Sequence, residues 1–159
     1  MTLVPARTAV VQTDSPDATE AFGHRLGARL RAGDTVALVG PMGSGKTVLA
    51  RGLARGAGAT GYIASPSFVV IREYTGPVRV YHVDLYRIER ADEVDQLALD
   101  ELTEGTGIVI VEWADRAPQV LPAGHLRIDC AMGPGPSDRA YTLTIPASMA
   151  DRLDSITGG

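Results

Sequence analysis

The chain has a single lysine. Fifteen basic residues are spread over 159 positions and fourteen of them are arginine, so Lys46 stands alone. Arginine-favouring codon usage explains the missing lysines but not the position of the survivor. Cysteine is equally scarce. Cys130 has no partner for an internal disulfide, and within the apolar run 126–132 it reads as a small core residue. No apolar run approaches the roughly 20 residues that cross a bilayer, and residues 1–7 lack the apolar stretch of a secretory signal, so a cytoplasmic protein is expected. Excess positive charge is missing as well. Nineteen acidic residues against fifteen basic ones leave −4 at pH 7, which argues against a broad nucleic-acid surface. The same balance is compatible with a local basic patch, but contact with RNA is expected through a partner. There is no internal repeat and no low-complexity segment. A chain of this length leaves no room for a second substrate domain. One domain over 1–159 is expected, with a mobile loop at about 133–138 and a C-terminal tail at about 147–159.

The lone lysine lies in Gly40-Pro41-Met42-Gly43-Ser44-Gly45-Lys46-Thr47, which fits the phosphate-loop pattern G-x-x-x-x-G-K-[ST]. Its context fits too. Thr35–Val39 is a short apolar, β-prone run introduced by the turn Gly33-Asp34, and Thr47–Arg55 has helical spacing. Strand, glycine loop and helix together aim free N–H groups and the positive helix end at an anion. Gly43 and Gly45 allow close backbone approach, lysine supplies a compact point charge, and the Thr47 hydroxyl suits Mg²⁺. ATP and Mg²⁺ are the expected ligands.

Around this unit the pattern is α/β. Thr8–Gln12 reads as a strand. Ser15-Pro16-Asp17 opens a helix with Ser15 as N-cap, and Ala18, Phe22, Leu26 and Leu30 give it an apolar stripe that Gly33 ends. Phe68–Tyr74 and Val78–Leu85 flank Thr75-Gly76-Pro77 as an antiparallel hairpin. Asp92–Leu102 is predicted helical. Ile108-Val109-Ile110-Val111 is the uninterrupted run of a buried parallel strand. Leu126–Met132 and Ala140–Ile145 bracket the glycine-proline loop. The fold class predicted is a three-layer P-loop NTPase with a mixed, mostly parallel central sheet and an antiparallel hairpin.

A nucleotide hydrolase also needs a strand-end carboxylate for the metal or the water. Glu112 follows the most buried-looking strand and is favoured for the metal, while Asp84 ends Val80–Val83 and is the second candidate. On spacing alone their division of roles stays open.

Ser65-Pro66-Ser67-Phe68, His82-Val83-Asp84-Leu85-Tyr86-Arg87, Val111-Glu112-Trp113 and Leu121-Pro122 follow the phosphate loop in that order. With it, and over about 13–141, they resemble the TsaE (YjeE) family of bacterial ATPases, which act with TsaD and TsaB in threonylcarbamoylation of the adenosine beside the tRNA anticodon. The resemblance implies a slow Mg²⁺-dependent ATPase stimulated by those partners, touching tRNA indirectly and monomeric alone. It implies that Gly43, Ser44, Gly45, Lys46, Thr47 and Val48 bind the nucleotide and that Thr47 and Glu112 hold the metal. Asp84 would help position the attacking water or the metal's shell, so that Lys46, Asp84 and Glu112 form the catalytic set. Ser67 stands where the family has a switch threonine, Trp113 would lie close to the nucleotide, Thr13 would be on the adenine side, and Arg139 matches a basic residue after the glycine loop. The rival reading is a small-molecule or nucleoside kinase, but Arg116–Gly124, with one arginine and two prolines, is poor lid material. A nucleotide-sensing module without turnover is the third, and Glu112 and Asp84 speak against it.

Overall fold

The computed structural model describes residues 7–63, 71–90, 92–93 and 99–157. Its framework is one sheet built on β-branched runs too apolar for any exposed position. β2 (Thr35–Val39) and β6 (Ile108–Glu112) are buried almost throughout, and they pair in parallel. β7 (Leu126–Met132) lies on the other side of β2 and β5 (Val80–Asp84) on the other side of β6, again parallel. This parallel quartet is the expected centre.

Antiparallel strands close both margins. β4 (Ile71–Thr75) pairs with β5 across the predicted turn, and β3 (Gly61–Ile63) adds to β4; residues 68–70 of the predicted strand lie outside the described residues. The opposite margin is antiparallel too. β8 (Arg139–Ile145) returns against β7, and β1 (Arg7–Thr13) pairs with β8. The connection at 133–138 is too short for the crossover that a parallel pairing requires, so β8 must fold back. It is tied by Gly133 N–H to the Asp138 carbonyl (2.8 Å) and Gly135 N–H to Asp138 Oδ2 (2.9 Å). The order among the described residues is β1-β8-β7-β2-β6-β5-β4-β3.

Helices cover the sheet on both faces. α1 (Pro16–Gly27) and α2 (Lys46–Gly56) pack Phe22, Leu26, Leu49 and Leu53 against Leu38, Ile110 and Ile128. On the reverse face, α3 (Leu99–Thr103) and two 3-10 turns at 114–116 and 118–120 cover Val83, Val109 and Val111. Residues 92–93 are helical, and 94–98 of the predicted helix lie outside the described residues. The C-terminal segment continues through a 3-10 turn into α4 (Ala150–Thr157), whose Leu153 is buried and whose Arg152 bonds Asp34 at 2.7 Å. No described helix is long and apolar enough to cross a membrane.

α1 starts as predicted, with Ser15 Oγ accepting from Ala18 N–H at 3.0 Å. It ends at Gly27, earlier than the predicted Gly33, and Leu30 reaches the core from a following turn. The chain leaves the helix through i→i−3 turns, with Arg29 N–H donating to the Leu26 carbonyl and Leu30 N–H to the Gly27 carbonyl at 3.1 Å, and α1 packs closely on α2. A Cβ on Gly27 would lie 2.2 Å from the Leu53 carbonyl oxygen, and one on Gly52 would lie 2.4 Å from that of Glu20. The two helices therefore meet backbone to backbone, which fixes the helix that begins with Lys46.

Candidate nucleotide site

The loop between β2 and α2 turns back over the C-terminal ends of the parallel strands. Gly43 and Gly45 adopt φ of 82° and 92°, a region L side chains rarely enter. At Gly45 a side chain is doubly excluded, since its Cβ would lie 2.4 Å from the Tyr141 hydroxyl. The N–H groups of the first turn of α2 carry no side-chain cap. Lys46 leads that turn, and its Nζ donates to the carbonyls of Gly40 (2.6 Å) and Pro41 (2.7 Å). Burial holds the Lys46 ammonium below its ordinary pKa, against the pull of Glu112, Asp115 and Asp84.

The two candidate carboxylates are brought together. Asp84 and Glu112 are register partners at the ends of adjacent parallel strands. Glu112 is 3% exposed, not a solvated strand-end acid. Its Oε1 accepts from the Thr47 hydroxyl at 2.9 Å, and its Oε2 lies 2.5 Å from His82 Nε2. Burial raises the Glu112 carboxyl, but the His82 ring, the Thr47 hydroxyl and the Lys46 charge together outweigh it and hold the group below the usual range. Asp84 is half-buried, and its Oδ1 accepts from Tyr86 N–H at 2.9 Å in a tight turn.

A cleft of about 390 Å³ joins these groups, lined among others by Lys46, Thr47, Asp84, Glu112, Trp113 and Arg139. Trp113 forms one wall. Its backbone is left-handed (φ 57°, ψ 39°), the only non-glycine residue with positive φ among those described, which costs about 1–3 kcal/mol. That turn places the indole 4.1 Å under Lys46 Nζ and 5.1 Å from the Tyr86 ring. Arg116 stacks over both rings and donates to the Ile88 carbonyl at 2.9 Å, so it is held against the wall.

The far side is built by the sheet margin. Thr13 and Arg139 are register partners on β1 and β8. Arg139 is half-buried, lines the cleft and donates to the carbonyls of Pro136 and Asp138. The Thr13 and Thr19 hydroxyls lie 2.7 Å apart, and Thr19 lies 3.1 Å from that of Tyr141. Gly43, Gly45, Lys46, Thr47, Val48, Asp84, Glu112, Trp113 and Arg139 thus converge on one cleft, with the buried Ser44 bonded inside the loop to the Pro41 carbonyl. Thr13 lines an adjoining pocket with Arg139. Ser67 lies outside the described residues.

Four side chains carry no role in the sequence reading and matter here: His82, Tyr86, Arg116 and Tyr141. The first could have been found, because residues two apart on a strand share a face and His82 precedes Asp84 by two. Tyr141 meets Gly45 of the loop from a strand far along the chain, and Tyr86 and Arg116 pack on Trp113.

The donor set suits a Mg²⁺–nucleotide. Among the described residues no three His, Cys, Asp or Glu side chains gather to hold a metal alone. One hydroxyl and one carboxylate are instead the partial, all-oxygen set that Mg²⁺ completes with phosphate oxygens and water.

Comparison with known proteins shows what the chain is similar to. The family model of threonylcarbamoyl adenosine biosynthesis protein TsaE matches residues 13–139. The tRNA threonylcarbamoyladenosine biosynthesis protein TsaE of Bacillus subtilis is 38% identical over 143 residues, covering 89% of each chain. That of Streptomyces coelicolor is 42% identical over 119 residues, covering 70% of this chain and 79% of the relative. Among solved structures, that of Bacillus subtilis YdiB superposes with a TM-score of 0.77 at 30% identity, covering 95% of both chains.

Proposed function

The chain belongs to the TsaE family of threonylcarbamoyl adenosine biosynthesis proteins, and we propose that it serves tRNA modification as a Mg²⁺-dependent ATPase. The observation that carries the proposal is the bond between Thr47 and Glu112, which joins the phosphate loop to the strand end beside it. Hydrolysis would proceed by addition of water to the γ-phosphorus, with the bond to the bridging oxygen breaking and ADP leaving with its electron pair. The loop amides and Lys46 would hold the phosphates and oppose the charge that spreads over them in the transition state. Mg²⁺, held by Thr47 and Glu112, would neutralise phosphate charge. Asp84, fixed by Tyr86 N–H, would orient the water. Trp113 would close one side of the cleft, and Arg139 with Thr13 would border the other.

The cleft is open, which suits a slow ATPase completed by partners. TsaD and TsaB would dock over it, exclude water and raise the rate. Contact with tRNA would be indirect and the location cytoplasmic, in keeping with the chain's net charge of −4 and the pathway. The chain alone would be a single-domain monomer. A kinase reading finds no support in Arg116, which is bonded to Ile88 and stacked on Trp113 rather than poised over an acceptor.

The division of roles is tested by titrating Mg²⁺ against a fluorescent ATP analogue. Glu112→Ala should raise the Mg²⁺ needed for binding. Asp84→Ala should leave binding nearly intact and slow hydrolysis by roughly 10²-fold or more. The reverse pattern would assign the metal to Asp84.

A further inference from the structure

Behind Thr47 and His82, the two side chains that hold Glu112, lies a second pocket of about 270 Å³. Its lining follows from local periodicity. Thr47, Arg51 and Arg55 recur every four residues on α2 and share one face of that helix. Arg72 and Tyr74 alternate on β4 and line the pocket together, while Glu73 between them pairs with Arg79 instead. His82 on β5 is the register partner of Arg72. Three arginines and a histidine therefore converge where, among the described residues, no carboxylate lines the wall. Arg55 is paired with Glu20, but among the described residues Arg51 and Arg72 have no acidic partner. Cations gathered without counter-charges repel one another, and a bound anion relieves that repulsion. Guanidinium forks present paired donors that match tetrahedral oxyanions.

We propose that this pocket is a second phosphate site, which receives the inorganic phosphate released in the adjoining nucleotide cleft. Its source rests on the hydrolysis proposed above; the affinity for phosphate does not. Thr47 lines both spaces, so the pocket lies directly beside the nucleotide cleft. An RNA phosphodiester is the other carrier of this chemistry. It is disfavoured because a strand needs a groove of basic residues along its length, whereas this is a compact pocket on a chain of net charge −4.

The test is calorimetric titration of inorganic phosphate into the whole protein, with and without a saturating non-hydrolysable ATP analogue. The analogue-loaded wild type should still bind phosphate. Arg51→Gln/Arg72→Gln should weaken that binding by at least about tenfold for each arginine lost, with analogue binding unchanged. Arg51→Lys/Arg72→Lys should retain most of it, because a point charge still serves phosphate. That charge-keeping pair and an unchanged unfolding midpoint separate loss of the site from loss of the fold. Phosphate binding equal in the wild type and the glutamine variant, or none to the loaded wild type, would overturn the proposal. So would arginine-dependent binding of a short single-stranded RNA in place of phosphate. Failure of the analogue to bind the wild type would instead sink the ATPase reading, with the arginine dependence of phosphate binding still readable.

Discussion

Lys46 Nζ sits between two carbonyl oxygens, 2.6 Å from Gly40 and 2.7 Å from Pro41, with the Trp113 ring 4.1 Å away on a third side. A compact ammonium fits that space and a planar guanidinium does not. Lys46→Arg keeps the charge and should nevertheless abolish hydrolysis while weakening nucleotide binding less, because the charge matters most as the transition state forms. Steady-state phosphate release together with analogue binding reads both, and wild-type turnover in the variant would contradict the role. Tyr141 is tested differently. Burial holds its phenol above the ordinary value. As pH rises the unfolded chain therefore ionises first and gains stability relative to the folded one. The contribution of Tyr141 is complete below about pH 10 and is lost as pH climbs through the folded pKa. Tyr141→Phe should thus flatten the alkaline fall in stability relative to the wild type. It should also cost about 1 kcal/mol at neutral pH for the lost contact with Thr19. Urea unfolding of both proteins from neutral to alkaline pH decides it, and parallel curves would contradict the assignment.

At the scale of elements, the crossing of α1 and α2 fixes the helix that carries the phosphate loop. Gly27→Ala and Gly52→Ala each place a methyl within 2.4 Å of a carbonyl oxygen on the other helix. Each should destabilise by about 1–3 kcal/mol or more, as overpacked contacts do. Gly124→Ala, whose new methyl would meet nothing closer than Ser148 Oγ at 3.8 Å, should stay within about 0.5 kcal/mol. Equal denaturant midpoints for all three would show that the helices can part. The same crossing shows what a sequence can carry. Contiguous signals were readable: the loop Gly40–Thr47, the Ser15-Pro16 helix start, the buried run of β6 and the turn before β5. Pairings between distant residues were not. Nothing local in α1 says that Gly27 will meet Leu53. Nothing near Gly45 announces Tyr141, and nothing in β8 says that Arg139 will stand beside Thr13 and border the cleft. Both carboxylates were found because each ends an apolar strand. The bonds that hold Glu112 span 65 residues to Thr47 and 30 to His82, beyond the reach of periodicity.

The whole molecule puts its proposed chemistry at one end of a parallel quartet and leaves that cleft open, with Met42 and Tyr86 exposed at its mouth. An open cleft lets water compete with every charge that Lys46 and the loop amides offer the phosphates, which weakens them. Exclusion of that water by a docked partner would strengthen the same contacts without adding a catalytic group. The most direct test is the rate of phosphate release from ATP by the purified chain, alone and then with TsaD and TsaB together. A slow basal rate that rises when both partners are present is the predicted result. Phosphoryl transfer to a small acceptor with no partner present, or a rate unchanged by TsaD and TsaB, would contradict it.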